Sequence, residues 1–344
     1  MPHSTFFRFM GPSLVAIFLF IALPIVSIFV QSLHIEHPQV IVVSETCQPF
    51  GGCVETTSVN AAATAELRAA QPLGQFNGFG TYLDRNHLAV AELGTILSDT
   101  TGMSDAISRI YNLPLYRALA FTIAYTAVVT PLAMILGFLI ALAVNTVPQI
   151  LKGPVVFFSL VPMLITPLVG ALILYWMLNV EGILGTAIQS LFNDPDLSTR
   201  TSAPLTWATL MTYGIWTNAP FSFIVFYAGL QAVPRETLEA AMIDGANRVD
   251  RIRFVVLPSI RPLVFFVLLV QLLDNFRVFE PIISFNAASN ATSLSYLIYS
   301  SLNTQTTQLF GSAAATSVIT IGFITVLIIP VLLRVSRELL AGRP

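Results

Sequence analysis

The sequence predicts an all-α integral membrane protein: six transmembrane helices with an extramembrane insertion after the first. Three observations carry that prediction. Hydrophobic residues make up 55% of the 344-residue chain and charged residues only 10%, where a soluble domain carries about 25% charge. Mean hydropathy is +0.78. The apolar residues gather into runs of the roughly 20 residues that a spanning helix needs.

The first run is Gly11 to Leu33. Arg8 precedes it and no small-residue cleavage site follows, so it reads as a retained helix rather than a leader. Residues 34–113 differ in kind. They hold both cysteines, many Thr and Ala residues, several amides and scattered charges. This stretch reads as an extracytoplasmic insertion, with Ala61 to Ala70 as a short helix. Cys47 and Cys53 bracket Gln-Pro-Phe-Gly-Gly, whose proline and glycines let the loop turn back. A disulfide is open to them outside the cell, two free thiols are the alternative, and a metal site lacks adjacent further ligands.

Residues 114–337 form the predicted core. Leu115 to Val144 is the second span, with Pro131 as a kink; Pro154 to Leu178 is the third, with Pro162 and Pro167; Ala203 to Leu230 is the fourth. A charged island, residues 231–262, separates these from Leu263 to Phe285 and Ser312 to Leu333, the fifth and sixth spans. Residues 338–344 are a tail. Six spans put both termini on one side, and basic residues choose it. With cytoplasmic termini, ten of the sixteen Lys and Arg residues lie inside, on the shorter segments. That places the island inside and the cysteines outside.

The island's chemistry is helix, turn, helix. Pro234 suits a first helical position, where its missing N–H would be unpaired anyway. Glu236 and Glu239 lie near that N-terminus, where the helix dipole favours negative charge. Leu238, Ala241 and Met242 make an apolar stripe. Gly245 is free to adopt the left-handed conformation that stops a helix, and a second apolar run ends at Pro258. Ala240 and Ala241 are small enough for another protein to approach closely. The bland reading is a solvated linker between two spans.

Glu239-Ala240-Ala241, followed by Asp244-Gly245 and then Leu257-Pro258, resembles the cytoplasmic Glu-Ala-Ala loop of ABC importer permeases. Val161 to Val169, Tyr175-Trp176 and Val278 to Pro281 are similar to the sugar permeases of the maltose/glycerol-phosphate type. So is Phe310-Gly311-Ser312-Ala313. One departure is Ser284 to Asn290, where those permeases carry a glycine-rich turn. The resemblance implies a type I importer permease core in a bacterial inner membrane, moving a sugar or polyol by alternating access. It implies partners: a second permease subunit, two copies of a cytoplasmic ATPase, an extracytoplasmic solute-binding protein and membrane lipid. ATP and Mg would sit in the ATPase, and no cofactor in this chain. The one lysine, Lys152, precedes Gly153 and not Ser or Thr, so a Walker A loop is excluded here. The net charge of −2 points to no nucleic-acid partner.

For the substrate pathway, Asp274, Arg277 and Glu280 stand three residues apart in or beside the fifth span, a spacing that lines one helical face. Ionisable residues at bilayer depth face protein or water. Gln271, Asn275, Trp216, Asn218 and Tyr175 are further polar and aromatic candidates. An ion-paired seam between helices competes with the pathway reading. Two other functions remain open: an importer of the same build for another small polar solute, and an ion-coupled secondary transporter. No catalytic residues and no metal site stand out.

Overall fold

The computed structural model describes the backbone of residues 2–37, 40–48, 51–99, 102–194, 198, 202–303 and 309–341. Side chains of residues 2–7, 45–48, 51–56 and 338–341 lie outside the described set. In chain order, α1 (Pro2–Ile17) passes through a π turn at Phe18–Ala22 into α2 (Leu23–Ser32). Then come β1 (His34–Ile35), β2 (Ile41–Gln48), β3 (Gly51–Val59), α3 (Ala61–Ala70), β4 (Gln75–Phe76), α4 (Gly80–Leu83), α5 (Val90–Asp99) and α6 (Met103–Tyr111). The core elements are α7 (Pro114–Thr146), α8 (Gln149–Leu164), α9 (Pro167–Leu178), α10 (Ile183–Phe192) and α11 (Ala203–Ala232). They continue with α12 (Arg235–Ile243), α13 (Arg248–Arg251), a π turn at Ile252–Val256, α14 (Leu257–Ser259) and α15 (Arg261–Phe276). Last are α16 (Glu280–Ser284), α17 (Leu294–Leu302) and α18 (Phe310–Ala341).

The chain divides into two compact units, residues 1–115 with 297–321, and residues 116–296 with 322–344. In the first unit the insertion is not purely helical. β2 and β3 form an antiparallel hairpin and β1 pairs with β4. No strand was expected in this stretch. The expected Ala61 to Ala70 helix is present with those bounds, capped by the Asn60 side chain, which accepts from the Ala63 N–H at 3.1 Å. That bond satisfies one of the four orphan donors at a helix start. Two bonds bring the insertion to the first turn of α18. Glu36 accepts from the Gly311 N–H at 2.6 Å, and the ring of the buried His87 lies 3.0 Å from the Ser312 carbonyl.

The second unit holds two apolar cores. One packs Phe121, Tyr125, Leu210, Ile282 and Phe285; the other packs Val144, Phe223, Phe226, Val256, Ile260 and Val267. Among the described residues, four helices are long and apolar enough to cross a membrane: Arg8–Ser32, Pro114–Thr146, Arg261–Ser284 and Phe310–Arg337. A fifth is counted if α8 and α9 form one broken span. Six were expected, and the shortfall has two physical causes. The third span is not one helix: α8 and α9 bend by 92°. Pro167 opens α9, and the residue before a proline avoids the α region; Thr166 is extended, at φ −60° and ψ 138°. The fourth span, α11, is a continuous 30-residue helix. Its Thr, Ser and Asn residues dilute its apolarity, and Thr206 and Ser222 are fully buried against neighbouring helices, as polar residues in membrane bundles are.

Pro131 does not break α7, which runs 33 residues through it. Both π turns precede a proline by one residue. The Leu23 N–H reaches back to Phe18 and the Leu257 N–H to Ile252, ahead of Pro24 and Pro258. A proline ring clashes with the carbonyl four residues earlier, and one wider turn relieves the clash without ending the helix.

Candidate coupling surface and buried polar cluster

The island folds as a short helix, a turn and a second helix. α12 begins at Arg235, with Pro234 at the N-cap (φ −59°, ψ 133°) rather than at the first helical position. The Thr237 hydroxyl donates back to the Pro234 carbonyl at 2.7 Å. Leu238 anchors the helix to the core that contains Leu230, Val233, Val256 and Ile260. Glu239 and Ala240 are exposed and Ala241 is half-buried. Met242 points outward rather than joining Leu238 in a buried stripe.

The stop after α12 is a Schellman motif. The Ala246 N–H donates to the Ala241 carbonyl at 2.9 Å and the Gly245 N–H to the Met242 carbonyl at 3.1 Å. Gly245 takes φ +83°, the left-handed region that L-residues avoid. A Cβ there would meet nothing within 4 Å, so the penalty for a side chain is backbone strain alone. Gly245→Leu is expected to cost about 1–2 kcal/mol at this turn and to reduce ATP-coupled uptake several-fold while the chain still inserts. Protease accessibility of the membrane-inserted variant, measured beside uptake, checks both halves.

The second helix starts with a capping box that the sequence reading missed, although Asn247-x-x-Asp250 has its pattern. Asn247 Oδ1 accepts from the Asp250 N–H at 2.9 Å, and Asp250 Oδ2 from the Asn247 N–H at 3.3 Å. Leu257 and Pro258 follow the π turn and are exposed. The outer surface therefore mixes charge with large apolar groups: Ile243, Val249 and Phe254 are 86%, 69% and 67% exposed. Asp244 lies at its edge, exposed, and Glu239 makes no ion pair among the described residues.

A second feature lies inside the bundle, where α7, α11 and α15 meet. Gln271 and Asn275, one turn apart on α15, are both 2% exposed. Gln271 Nε2 donates to the Asn218 carbonyl at 2.9 Å and to Ser222 Oγ at 3.2 Å. Asn275 Nδ2 donates to Gln271 Oε1 at 3.1 Å and to Thr130 Oγ1 at 3.0 Å. Asn218 Nδ2 donates to Asn275 Oδ1 at 3.2 Å and to the Gly214 carbonyl at 2.8 Å. Three of the predicted pathway residues thus come together, but their amide protons are spent on one another, on the Thr130 and Ser222 hydroxyls and on the backbone. The cluster ties three helices rather than presenting free groups to a solute. Thr130 and Ser222 escaped the sequence reading because a hydroxyl in a span gives no sign of its partner.

Such bonds are worth roughly 0.6 kcal/mol each, up to about 1.7, in membrane bundles. A partner left unpaired costs more, about 1–3 kcal/mol. Asn275→Leu strands donors and acceptors on Asn218, Gln271 and Thr130 together. It is expected to lower the thermal midpoint of the detergent-purified protein by several degrees, whereas Asn275→Gln retains part of the loss.

Asp274, Arg277 and Glu280 do not share one helical face. α15 ends at Phe276, with Arg277 as its C-cap, and Glu280 opens α16 after a break. Asp274 and Arg277 pair at 3.0 Å. All three side chains are exposed. Tyr175 packs edge-on against Phe285 at 6.2 Å, in the apolar core. Trp216 lines a cavity of about 580 Å³ with Tyr213, Leu174, Met177 and Ile188. That cavity is almost wholly apolar and holds no carboxylate or amide. Tyr213 staples the broken span by donating to the Pro167 carbonyl at 2.9 Å. For the cysteines, the hairpin register sets Cys47 opposite Cys53; their side chains lie outside the described residues.

The fold has counterparts in known proteins. The family model for the binding-protein-dependent transport system inner membrane component matches residues 106–337. The trehalose transport system permease protein SugA of Mycobacterium tuberculosis is 34% identical over 193 residues, 54% of this chain and 60% of that protein. The match therefore spans less than two thirds of that relative. The sn-glycerol-3-phosphate transport system permease protein UgpA of Yersinia enterocolitica is 26% identical over 209 residues, 59% of this chain and 69% of that protein. A chain in the crystal structure of a bacterial ABC transporter involved in the import of the acidic polysaccharide alginate superposes with a TM-score of 0.58. It is 21% identical and covers 74% of this chain and 91% of that one, a likeness of fold. With two thirds of its length under the family model, the chain belongs to the binding-protein-dependent transport system inner membrane component family and has the type I importer permease fold.

Proposed function

We propose that this chain is the membrane-spanning subunit of an ATP-driven importer, in a bacterial inner membrane, that moves a sugar or polyol by alternating access. The observation that carries the reading is α12: an exposed Glu239-Ala240-Ala241 helix, closed by Gly245, on a surface with bare Ile243, Val249 and Phe254. Such a surface suits docking against a cytoplasmic ATPase, which binds ATP and Mg in this chain's stead. Leu238 joins α12 to the core of α7, α11 and α15, so a push on α12 is passed to packed helices rather than lost in a loose linker. A solute-binding protein outside and a second permease subunit complete the machine. Both termini lie in the cytoplasm, by the basic-residue bias, and residues 34–113 lie outside. There the hairpin backbone sets Cys47 opposite Cys53.

The sugar or polyol assignment rests on the trehalose and glycerol-phosphate relatives. The pathway runs past the exposed Asp274, Arg277 and Glu280, whose charges suit hydroxyl groups better than the apolar cavity beside Trp216 does. Asp274→Asn keeps the size of the side chain and removes its charge. Its exposed ion pair is worth under about 1 kcal/mol, so the variant should fold. Uptake at low solute should fall several-fold with basal ATPase activity kept; normal uptake would remove Asp274 from the pathway. The wider reading is tested by purifying the chain from its native membrane in mild detergent. Mass spectrometry should find an ATPase and a second permease; a chain that purifies alone and transports without ATP is a secondary transporter.

A further inference from the structure

The geometry points to α6 as an interfacial helix, lying on the outer membrane surface with its apolar side against lipid. α6 carries Met103, Ile107, Ile110 and Tyr111 on one side, with Ala106. At about 100° per residue these five fall within an arc of about 140°. Ser104, Asp105, Ser108 and Arg109 fill the opposite arc, where Arg109 and Asp105 pair at 3.0 Å. Much of the apolar side is bare: Met103 is 81% exposed, Ile107 61% and Tyr111 40%, Ala106 and Ile110 are half-buried, and no residue of α6 is fully buried. An amphipathic helix of a globular domain turns its apolar stripe inward; this one leaves most of it exposed.

Chain continuity says what covers it. Only Asn112 and Leu113 separate α6 from α7, a helix apolar enough to cross the membrane. Tyr111 and Tyr116 mark the level of the interface, since tyrosines settle at the headgroups. From Tyr111 to Tyr116 is five residues, roughly 8–17 Å of chain. That keeps α6 beside the headgroup region, where a helix of this kind buries its apolar side about 5–10 Å deep. A helix held flat there fixes the height at which α7 leaves the bilayer. The inference rests on α7 crossing the membrane and is independent of the solute transported.

The test uses the whole transporter in nanodiscs of phosphatidylethanolamine and phosphatidylglycerol. A nitroxide is attached through p-acetylphenylalanine at position 103, 105, 107, 108 or 110, leaving Cys47 and Cys53 untouched. Collision with oxygen relative to a water-soluble nickel chelate should be several-fold higher at 103, 107 and 110 than at 105 and 108. Nickel access at all five positions overturns the proposal. So does shielding that arises only when the solute-binding protein is added, which would make α6 a protein-docking site. Should labelled chains fail to insert, a photoactivatable phospholipid with its reactive group near the headgroup is applied to the unaltered transporter. Adducts within 103–111 support the proposal; adducts on α7 with none on α6 contradict it. Neither arm reads uptake, so failure of the import reading leaves this result unchanged.

Discussion

Replacing Ala240 by tryptophan is expected to abolish ATP-driven uptake while leaving the chain folded and inserted. Ala240 is exposed on α12, so the indole displaces nothing within the chain. The intrinsic helix cost is only a few tenths of a kcal/mol. The damage falls on whatever docks against α12. Inserting a bulky group into a packed interface costs about 1–3 kcal/mol or more, a loss of roughly 5- to 150-fold in affinity. The ATPase should therefore dissociate during purification, and uptake should fall to background. Ala240→Ser, of nearly native size, should keep both. Thermal stability of the isolated chain separates this outcome from misfolding: it should not change.

The second large effect is in the bundle. Gly137→Leu is expected to prevent a stable fold. α7 and α11 cross so closely at Gly137 that a Cβ there would lie 2.6 Å from the Ser222 Cβ, 2.7 Å from the Ala219 carbonyl oxygen and 2.7 Å from the Phe223 nitrogen. Two of the three are backbone atoms that no rotamer change moves. Small residues at such crossings let membrane helices approach, and dispersion between their backbones is part of what holds them. Overpacking costs about 1–3 kcal/mol where side chains can give way; here they cannot, and separating α11 from α7 also pulls Ser222 from Gln271. The variant should fail to accumulate in the membrane or aggregate on extraction. Gly137→Ala should show a smaller loss of the same sign.

How far the sequence could be read follows from which interactions are local. α12, its stop at Gly245 and the short helix Ala61 to Ala70 depend on residues within one or two turns, and their positions were legible. The capping box at Asn247 was equally local and was overlooked. The bend between α8 and α9 was half visible: Pro167 was seen, but a proline that kinks a helix and one that starts a new helix look alike in a run of apolar residues. The buried cluster was not legible. Gln271, Asn275 and Asn218 stood out as polar residues in spans. Their donors are taken up by Thr130 and Ser222, 145 and 49 residues away in sequence from their partners. Spacing alone put Asp274, Arg277 and Glu280 on one face; the end of α15 at Phe276 separates them. The hairpin Ile41–Val59 was hidden because polar Thr, Ser and Glu residues dominate it after Val43.

The most direct measurement is solute entry into proteoliposomes that contain this chain with its ATPase and second permease. Radiolabelled sugars and polyols would be supplied outside with the solute-binding protein, and ATP would be sealed within. The account predicts entry that requires both ATP and the binding protein, and that stops with Ala240→Trp. Entry driven by an ion gradient without ATP, or unaffected by that substitution, would contradict it.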